Sequence, residues 1–202
     1  MARAIAVAAA LGAAACADPP AAALPPLGPD AVILAFGDSL TAGFGAPAGE
    51  SYPAQLDRRL TQRVVGSGVN GETTAEGLRR LPAELERHAP DLLLLCLGGN
   101  DFLRRLAPAS AEARLDSMVG LAVERGVSVV LIGVPRPSLL PGSGDALYER
   151  LAAKHGVPLD NAAVAAVLAE SALRSDPFHP NARGYGRMAA AIEDLLREAG
   201  AL

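Results

Sequence analysis

The chain has 202 residues, of which half are hydrophobic, a fifth are charged and only 3% are aromatic. This composition excludes a disordered chain and an integral membrane protein. The formal net charge of −4 and the lack of a Lys/Arg run argue against a nucleic-acid-binding surface. The pairs Arg79–Arg80 and Arg104–Arg105 are isolated in the sequence and are predicted to be solvated.

The N-terminus has the three parts of a secretory signal. Arg3 precedes an apolar run from Ile5 to Ala15, which is too short to span a bilayer and is followed by small residues. Residues 1–17 are therefore predicted to be a signal peptide. Two forms of processing remain open, namely cleavage that releases a soluble domain and lipidation of Cys16 as in a lipoprotein. Both predict an exported protein, which is periplasmic, extracellular or anchored to a membrane by its lipid.

Residues 18–30 are predicted to be a Pro/Ala-rich linker, and residues 31–202 a single domain. Within the domain, short apolar runs that suit strands buried on both faces alternate with helical patterns. In chain order these are a strand at 31–36, a helix from Ser51 to about Leu60, a strand at 64–65, a helix capped by Thr74, a strand at 92–97 that includes Cys96, a helix at 110–125, a strand at 127–134, a helix at 145–155, a strand at 157–159 and a helix at 181–198. The alternation predicts an α/β fold, a three-layer α/β/α sandwich with a mainly parallel, flavodoxin-like sheet.

Three loops stand out because the functional loops of such a sheet lie outside the carboxyl ends of its strands. They are Gly37–Ser39, Gly98–Asp101 and Asp176–His179. A serine that directly follows a strand exposes its hydroxyl beside backbone N–H groups that can hold an oxyanion. The tripeptide Gly-Asp-Ser is also common in ordinary turns, so this loop alone leaves both interpretations open.

The late loop places a carboxylate three residues before a histidine. With this spacing Asp176 can reach one ring nitrogen of His179 while the other ring nitrogen faces a nucleophile. Asn100 can either project an amide into the same site or cap a helix. His88 and His155 fall near predicted helix ends, where we expect them to interact with terminal carbonyls. The sequence has no dinucleotide or P-loop motif and no metal-binding Cys/His spacing, so neither a cofactor nor a metal is expected.

Four sequence blocks, in this order, resemble the SGNH/GDSL hydrolase superfamily, and within it the bacterial thioesterase I/arylesterase/lysophospholipase group. The blocks lie at 36–45, 69–82, 97–101 and 176–185. The chain departs from the family pattern at Gly66, where asparagine is frequent, and at Asn70, where serine often precedes the glycine. Both positions support the site in that family and do not carry its chemistry.

The resemblance implies a serine esterase. Ser39 would be the nucleophile, His179 the general base, and Asp176 the group that orients the histidine. The oxyanion would be held by the backbone N–H groups of Ser39 and Gly71 and by the side-chain amide of Asn100. The expected substrates are small-molecule carboxylic esters or thioesters, such as acyl esters, acyl-CoA or lysophospholipids, and the enzyme is expected to be a monomer.

Asp38 is expected to brace the Ser39 loop. The segments 102–106 and 135–144 either border the acyl pocket or pack as ordinary loops. Two alternatives remain. A carbohydrate acetylesterase could use the same fold, although few aromatic residues are available to stack on sugars. A secreted binding protein without catalysis would have no need of the complete set of site residues.

Overall fold

The computed structural model of the protein describes residues 22–137 and 144–202. The predicted signal peptide and Cys16 lie outside the described residues, and so do positions 138–143 of the loop predicted to border the pocket. Within the described part of the chain, no helix is both long and apolar enough to cross a membrane.

Residues 22–30 of the predicted linker are described, and two of their leucines pack on the domain. The backbone N–H groups of Leu24 and Leu27 donate to the carbonyls of Ala199 and Ala201, at 2.8 and 2.9 Å. Both leucines are partly buried against the core. The chain therefore contributes to the folded domain several residues before the first strand.

A parallel sheet forms the centre of the molecule. Its strands are β1 (Val32–Gly37), β2 (Arg63–Gly68), β3 (Leu92–Cys96), β4 (Ser128–Ile132) and β5 (Leu159–Asp160), in the spatial order β2-β1-β3-β4-β5. Every neighbouring pair is parallel, which confirms the predicted sheet. In the register, Ile33 of β1 lies between Val64 and Leu92. All five residues of β3 are buried, as expected from its uninterrupted apolar sequence.

Helices cover both faces of this sheet. They are α1 (Ser39–Ala42), α2 (Tyr52–Asp57), α3 (Thr74–His88), α4 (Gly99–Leu103), α5 (Pro108–Val123), α6 (Ala146–His155), α7 (Ala163–Ala169) and α8 (Ala182–Glu198), with a 3₁₀ turn at Ser171–Leu173. Crossovers between parallel strands are right-handed, so the reversal of strand order at β1 puts α2 on one face and α3, α5 and α6 on the other. Helix α8 packs against α2, which completes the predicted three-layer sandwich.

Several helices begin directly after a polar residue whose side chain caps them. Ser51, Asp145 and Asn181 accept first-turn N–H bonds with their side chains, as helix caps do. The predicted cap of α3 is wrong by one residue. Thr73, and not Thr74, caps this helix, because Thr73 and Glu76 form a reciprocal capping box. The Thr74 hydroxyl is directed elsewhere, and donates to a carboxylate oxygen of Asp101 at 2.7 Å.

Candidate active site

The site lies where the strand order reverses. From β1 the chain moves to β2 on one side, whereas β3, β4 and β5 extend on the other side. The loops that follow β1 and β3 therefore diverge and leave a crevice at the carboxyl edge of the sheet. Ser39 follows β1 closely, and Asn100 follows β3. The last site loop, Asp176–His179, reaches the same crevice from the chain just before α8.

Ser39 is the first residue of the short helix α1. Asp38 caps this helix, since its carboxylate oxygen Oδ1 accepts the N–H of Leu40 at 3.0 Å. First-turn N–H groups have no partner within their own helix, so the N–H of Ser39 is available for a ligand. The serine itself is 9% exposed, at the floor of the crevice.

The structure brings the three predicted triad residues together. The Ser39 hydroxyl oxygen lies 3.0 Å from Nε2 of His179. The other ring nitrogen, Nδ1, lies 2.8 Å from Oδ2 of Asp176 and 3.0 Å from its Oδ1. A histidine that donates from Nδ1 to a carboxylate keeps Nε2 as an acceptor, which is the form a general base requires.

The late loop is held in place by its own backbone. Asp176 accepts the N–H groups of Phe178 and His179 with Oδ1, at 2.7 and 2.9 Å. Partial burial acts to raise the pKa of Asp176, but these bonds and the His179 ring outweigh it and lower the pKa below its ordinary value. The exposed ring of Phe44 packs against the His179 imidazole, with 4.6 Å between the ring centroids. The carboxylate is thus charged at neutral pH, and the imidazole is fixed on two sides.

The amide of Asn100 uses both of its hydrogens within the protein. It donates to Oδ2 of Asp38 and to the backbone carbonyl of Glu72, each at 3.1 Å. Both bonds are at the long end of the usual N–H···O range. The amide therefore lies between the Ser39 loop and the Gly71 loop, and it must share or exchange one of these acceptors to donate to an oxyanion.

Gly71 has φ of +78°, a left-handed conformation that glycine adopts without strain. Its carbonyl accepts from the Arg104 guanidinium at 2.7 Å. The residues that line the cleft include Asn100 and Ser39 but not Gly71. Of the three predicted oxyanion donors, Gly71 is the one that the structure does not bring to the cleft wall.

Asp38, predicted to brace the Ser39 loop, is 2% exposed. Burial raises its pKa to about 7 from the ordinary 3.8, against the opposing effect of its hydrogen bonds from Leu40 and Asn100. The carboxyl of Asp38, next to Ser39 in the sequence, therefore changes charge near neutral pH.

The three tyrosines of the chain all lie buried beneath the site loops. Tyr185 donates to the carbonyl of Phe44 at 2.8 Å and lies 3.4 Å from that of Ser39. Tyr148 donates to the carbonyl of Leu97 at 2.9 Å, just before the Asn100 turn. Tyr52 lies 3.2 Å from the Thr41 hydroxyl in α1. The sequence did not identify the three tyrosines as supports of the site. The one sign available was that the chain has so few aromatic residues.

The remaining sequence predictions for polar residues differ from the structure in two respects. The partners that His88 and His155 have in the structure are carboxylates and not terminal carbonyls: His155 contacts Asp116 at 2.7 Å, and His88 lies 3.5 Å from Glu84. Arg80, predicted to be solvated, is instead largely buried, with 22% of its side chain exposed, while its neighbour Arg79 is exposed.

The cleft in front of Ser39 has a volume of about 930 Å³. Its walls come from α4, from the segment after β4, from α7 and from the late loop. The apolar side chains that line it include Leu40, Leu103, Val134, Leu168 and Phe178. Two arginines also line it: Arg136, which pairs with Asp145 and stacks on the Phe102 ring, and Arg174. The described parts of both predicted pocket segments therefore border this cleft.

Comparison with known proteins identifies the family of this chain. Residues 35–187 match the GDSL-like Lipase/Acylhydrolase family. The chain is 37% identical over 129 residues to Esterase TesA of Pseudomonas aeruginosa, a match that covers 61% of this chain and 63% of that protein. It is 32% identical over 156 residues to Thioesterase 1/protease 1/lysophospholipase L1 of Escherichia coli K12, covering 74% of this chain and 75% of the relative.

A solved structure extends the likeness to the whole domain. The crystal structure of TesA superposes with a TM-score of 0.75 at 31% identity, covering 83% of this chain and 99% of that one. Fold and sequence blocks together define a protein of the SGNH class. The chain belongs to the GDSL-like lipase/acylhydrolase family.

Proposed function

We propose that this protein is a serine esterase that hydrolyses carboxylic esters and thioesters through an acyl-enzyme on Ser39. The observation that carries the proposal is the continuous hydrogen-bonded chain from Ser39 through His179 to Asp176, with contacts of 3.0 and 2.8 Å, which opens into the cleft. Nucleophile, base and orienting carboxylate within such distances are the requirement for acyl transfer by a serine.

The reaction follows from this geometry. His179 takes the hydroxyl proton on Nε2 as the Ser39 oxygen bonds to the acyl carbon, and Asp176 stabilises the imidazolium. The tetrahedral intermediate collapses, the imidazolium protonates the departing alcohol or thiol, and the acyl group remains on Ser39. A water molecule then gives its proton to His179 and attacks the acyl carbon, and the proton returns to Ser39 as the acid leaves.

The oxyanion is assigned to the N–H groups of Ser39 and Gly71 and to the amide of Asn100. The first-turn position of Ser39 and the place of Asn100 at the cleft wall support two of these donors. Gly71 is adjacent in sequence to Glu72, whose carbonyl accepts the Asn100 amide, and its assignment as a donor rests on the resemblance to the SGNH/GDSL superfamily. Protonation of Asp38 weakens its bond from Asn100, since a neutral acceptor holds a donor less strongly.

The cleft supports acyl esters, acyl-CoA or lysophospholipids as substrates. The apolar side chains on its walls suit an acyl chain, and its volume falls in the range of small-molecule sites. The two arginines at its wall suit the phosphate that acyl-CoA and lysophospholipids carry. A series of acyl lengths, measured on p-nitrophenyl esters and on acyl-CoA, ranks these substrates: a preference for acyl-CoA over the matched p-nitrophenyl ester supports the role of the arginines.

Hydrolysis of p-nitrophenyl butyrate by the purified protein tests the proposed function. Ser39→Ala should abolish turnover while its circular dichroism spectrum stays that of the wild type. Thr61→Ala, a change of another hydroxyl residue remote in sequence from the site loops, is the matched control and should keep the wild-type rate. Undiminished turnover by Ser39→Ala would refute the proposal.

We also propose that the enzyme is exported, on the signal-like pattern of residues 1–17. Mass spectrometry of the mature N-terminus tests this directly. A chain that begins at lipidated Cys16 identifies a lipoprotein, one that begins after the small residues identifies a released enzyme, and an intact N-terminus contradicts export.

A further inference from the structure

The guanidinium of Arg80, on α3, joins three segments of the site from beneath. It forms a two-pronged ion pair with the Glu72 carboxylate, at 2.7 Å from Nε and 2.6 Å from Nη2. It also donates to the carbonyls of Gly37 and Ser67, each at 3.3 Å, and to the Ser67 hydroxyl. Gly37 ends β1 just before Asp38 and Ser39, and Ser67 lies at the end of β2, just before the Gly71 loop.

Glu72 connects this arginine to the proposed oxyanion donors. It follows Gly71 directly, its carboxylate is almost completely buried, and its backbone carbonyl accepts the Asn100 amide at 3.1 Å. Glu72 therefore adjoins Gly71 in sequence and contacts Asn100 through its backbone carbonyl, while its side chain is held by Arg80.

The surroundings fix the guanidinium in a single orientation. The Phe36 ring lies 4.0 Å beneath it, and Glu84, one turn further along α3, lies 3.9 Å away. Ser67 donates its hydroxyl to Glu84 at 2.6 Å. A buried ion pair contributes little net stability compared with apolar packing, but loss of one partner leaves an uncompensated charge. The planar fork of arginine satisfies the Glu72 carboxylate and the two strand-end carbonyls together, which a lysine cannot do.

We infer that Arg80 is a positioning residue of the oxyanion hole: acting through Glu72, it holds the Gly71 loop and the Asn100 amide in register with the Ser39 loop. The inference rests on the proposed function, because it assigns Arg80 a part in that reaction. Arg80 does not line the cleft, so it acts on the donors and not on the substrate.

The kinetic consequence is specific. Donors that are displaced by a fraction of an ångström still allow the ester to bind, but they stabilise the tetrahedral intermediate less well. Arg80→Gln should therefore lower kcat for p-nitrophenyl butyrate by about tenfold to a hundredfold, while KM stays within about threefold. A displacement of the catalytic groups by about 1 Å can lower the rate by up to about a hundredfold. Arg80→Lys keeps the charge and should recover part of the loss.

The adjacent arginine provides a matched control. Arg79 has the same charge on the same helix but is exposed, so Arg79→Gln should keep the wild-type kcat. Glu72→Gln weakens the ion pair from the other partner and keeps the backbone carbonyl that Asn100 contacts. It should reproduce the effect of Arg80→Gln, and the double variant should lose less than the product of the two single effects.

A second measurement separates positioning from simple loss of stability. Butylboronic acid forms a tetrahedral adduct with a catalytic serine, and one of its oxygens occupies the oxyanion position. Its inhibition constant should rise in Arg80→Gln by the same factor by which kcat/KM falls, whereas a change that only lowers the folded fraction leaves this constant unaltered.

The inference is overturned if folded Arg80→Gln keeps kcat within twofold of wild type, or if the boronate constant does not change. Should that variant not fold, Glu72→Gln and Arg80→Lys are judged by the same criteria. Failure of fluorophosphonate labelling at Ser39 in the wild type would instead defeat the proposed function itself.

Discussion

The buried carboxyl of Asp38 predicts a pH dependence of stability that one substitution should remove. The side chain is 2% exposed, and burial raises its pKa to about 7, whereas the ordinary value of 3.8 applies in the unfolded chain. Between these values the folded protein holds a proton that the unfolded chain has lost. The free energy of unfolding therefore falls as the pH rises from about 4 to about 7.

The magnitude follows from the two pKa values. At about 1.4 kcal/mol per pKa unit, the ionised carboxylate above pH 7 costs about 4 kcal/mol relative to its protonated form below pH 4. Asp38→Asn cannot titrate. It keeps one carbonyl oxygen for the N–H of Leu40 and places a second amide against Asn100, which removes one hydrogen bond worth about 1 kcal/mol at every pH.

Urea denaturation of both proteins at pH 5 and pH 8 measures the effect. The wild-type free energy of unfolding minus that of Asp38→Asn should fall by about 2–3 kcal/mol over this range, since other titrating groups cancel in the difference. Conversion of an exposed carboxylate, Asp30→Asn, gives the baseline and should show no such change. A wild-type minus Asp38→Asn difference that is constant within about 0.5 kcal/mol would refute the reasoning.

Three further predictions concern the site directly. Asn100→Ala should lower kcat on p-nitrophenyl esters by about a hundredfold or more, and retention of full turnover would remove Asn100 from the oxyanion hole. Asp176→Asn should lower kcat by about three to four orders of magnitude, because the orienting carboxylate is lost; a tenfold effect would mean that another group orients His179. Tyr185→Phe should lower the free energy of unfolding by about 1–2 kcal/mol in urea denaturation, because the Phe44 carbonyl loses its donor, and an unchanged midpoint would contradict the role of that bond.

The meeting of the loops that follow β1 and β3 could be predicted from local patterns and one general rule. The meeting of the late loop with them was predicted through the resemblance to the SGNH/GDSL superfamily, because this loop does not directly follow a strand. The apolar runs at β1 and β3 place Ser39 and Asn100 at the same edge of a parallel sheet. The three-residue spacing of Asp176 and His179 is local as well, and the structure keeps it within hydrogen-bond distance. Residues that act within a few positions of a strand end can be assigned from such patterns.

The support beneath the loops could not be predicted, because it depends on contacts between distant parts of the chain. Tyr185 is 146 residues from Ser39, and nothing in the local sequence of α8 indicates which carbonyl its hydroxyl meets. Arg80 and Arg79 look equivalent in the sequence, and only the packing of α3 against the rest of the domain decides which of them turns inward.

Labelling with a fluorophosphonate, followed by mass spectrometry of the intact and digested protein, tests the central claim most directly. Such a reagent phosphonylates a serine only where a base and an oxyanion hole activate it. The proposed mechanism predicts a single adduct on the peptide that contains Ser39, lost in Ser39→Ala and strongly slowed in His179→Ala. No adduct on the folded wild-type protein, or an adduct on another serine, would contradict it.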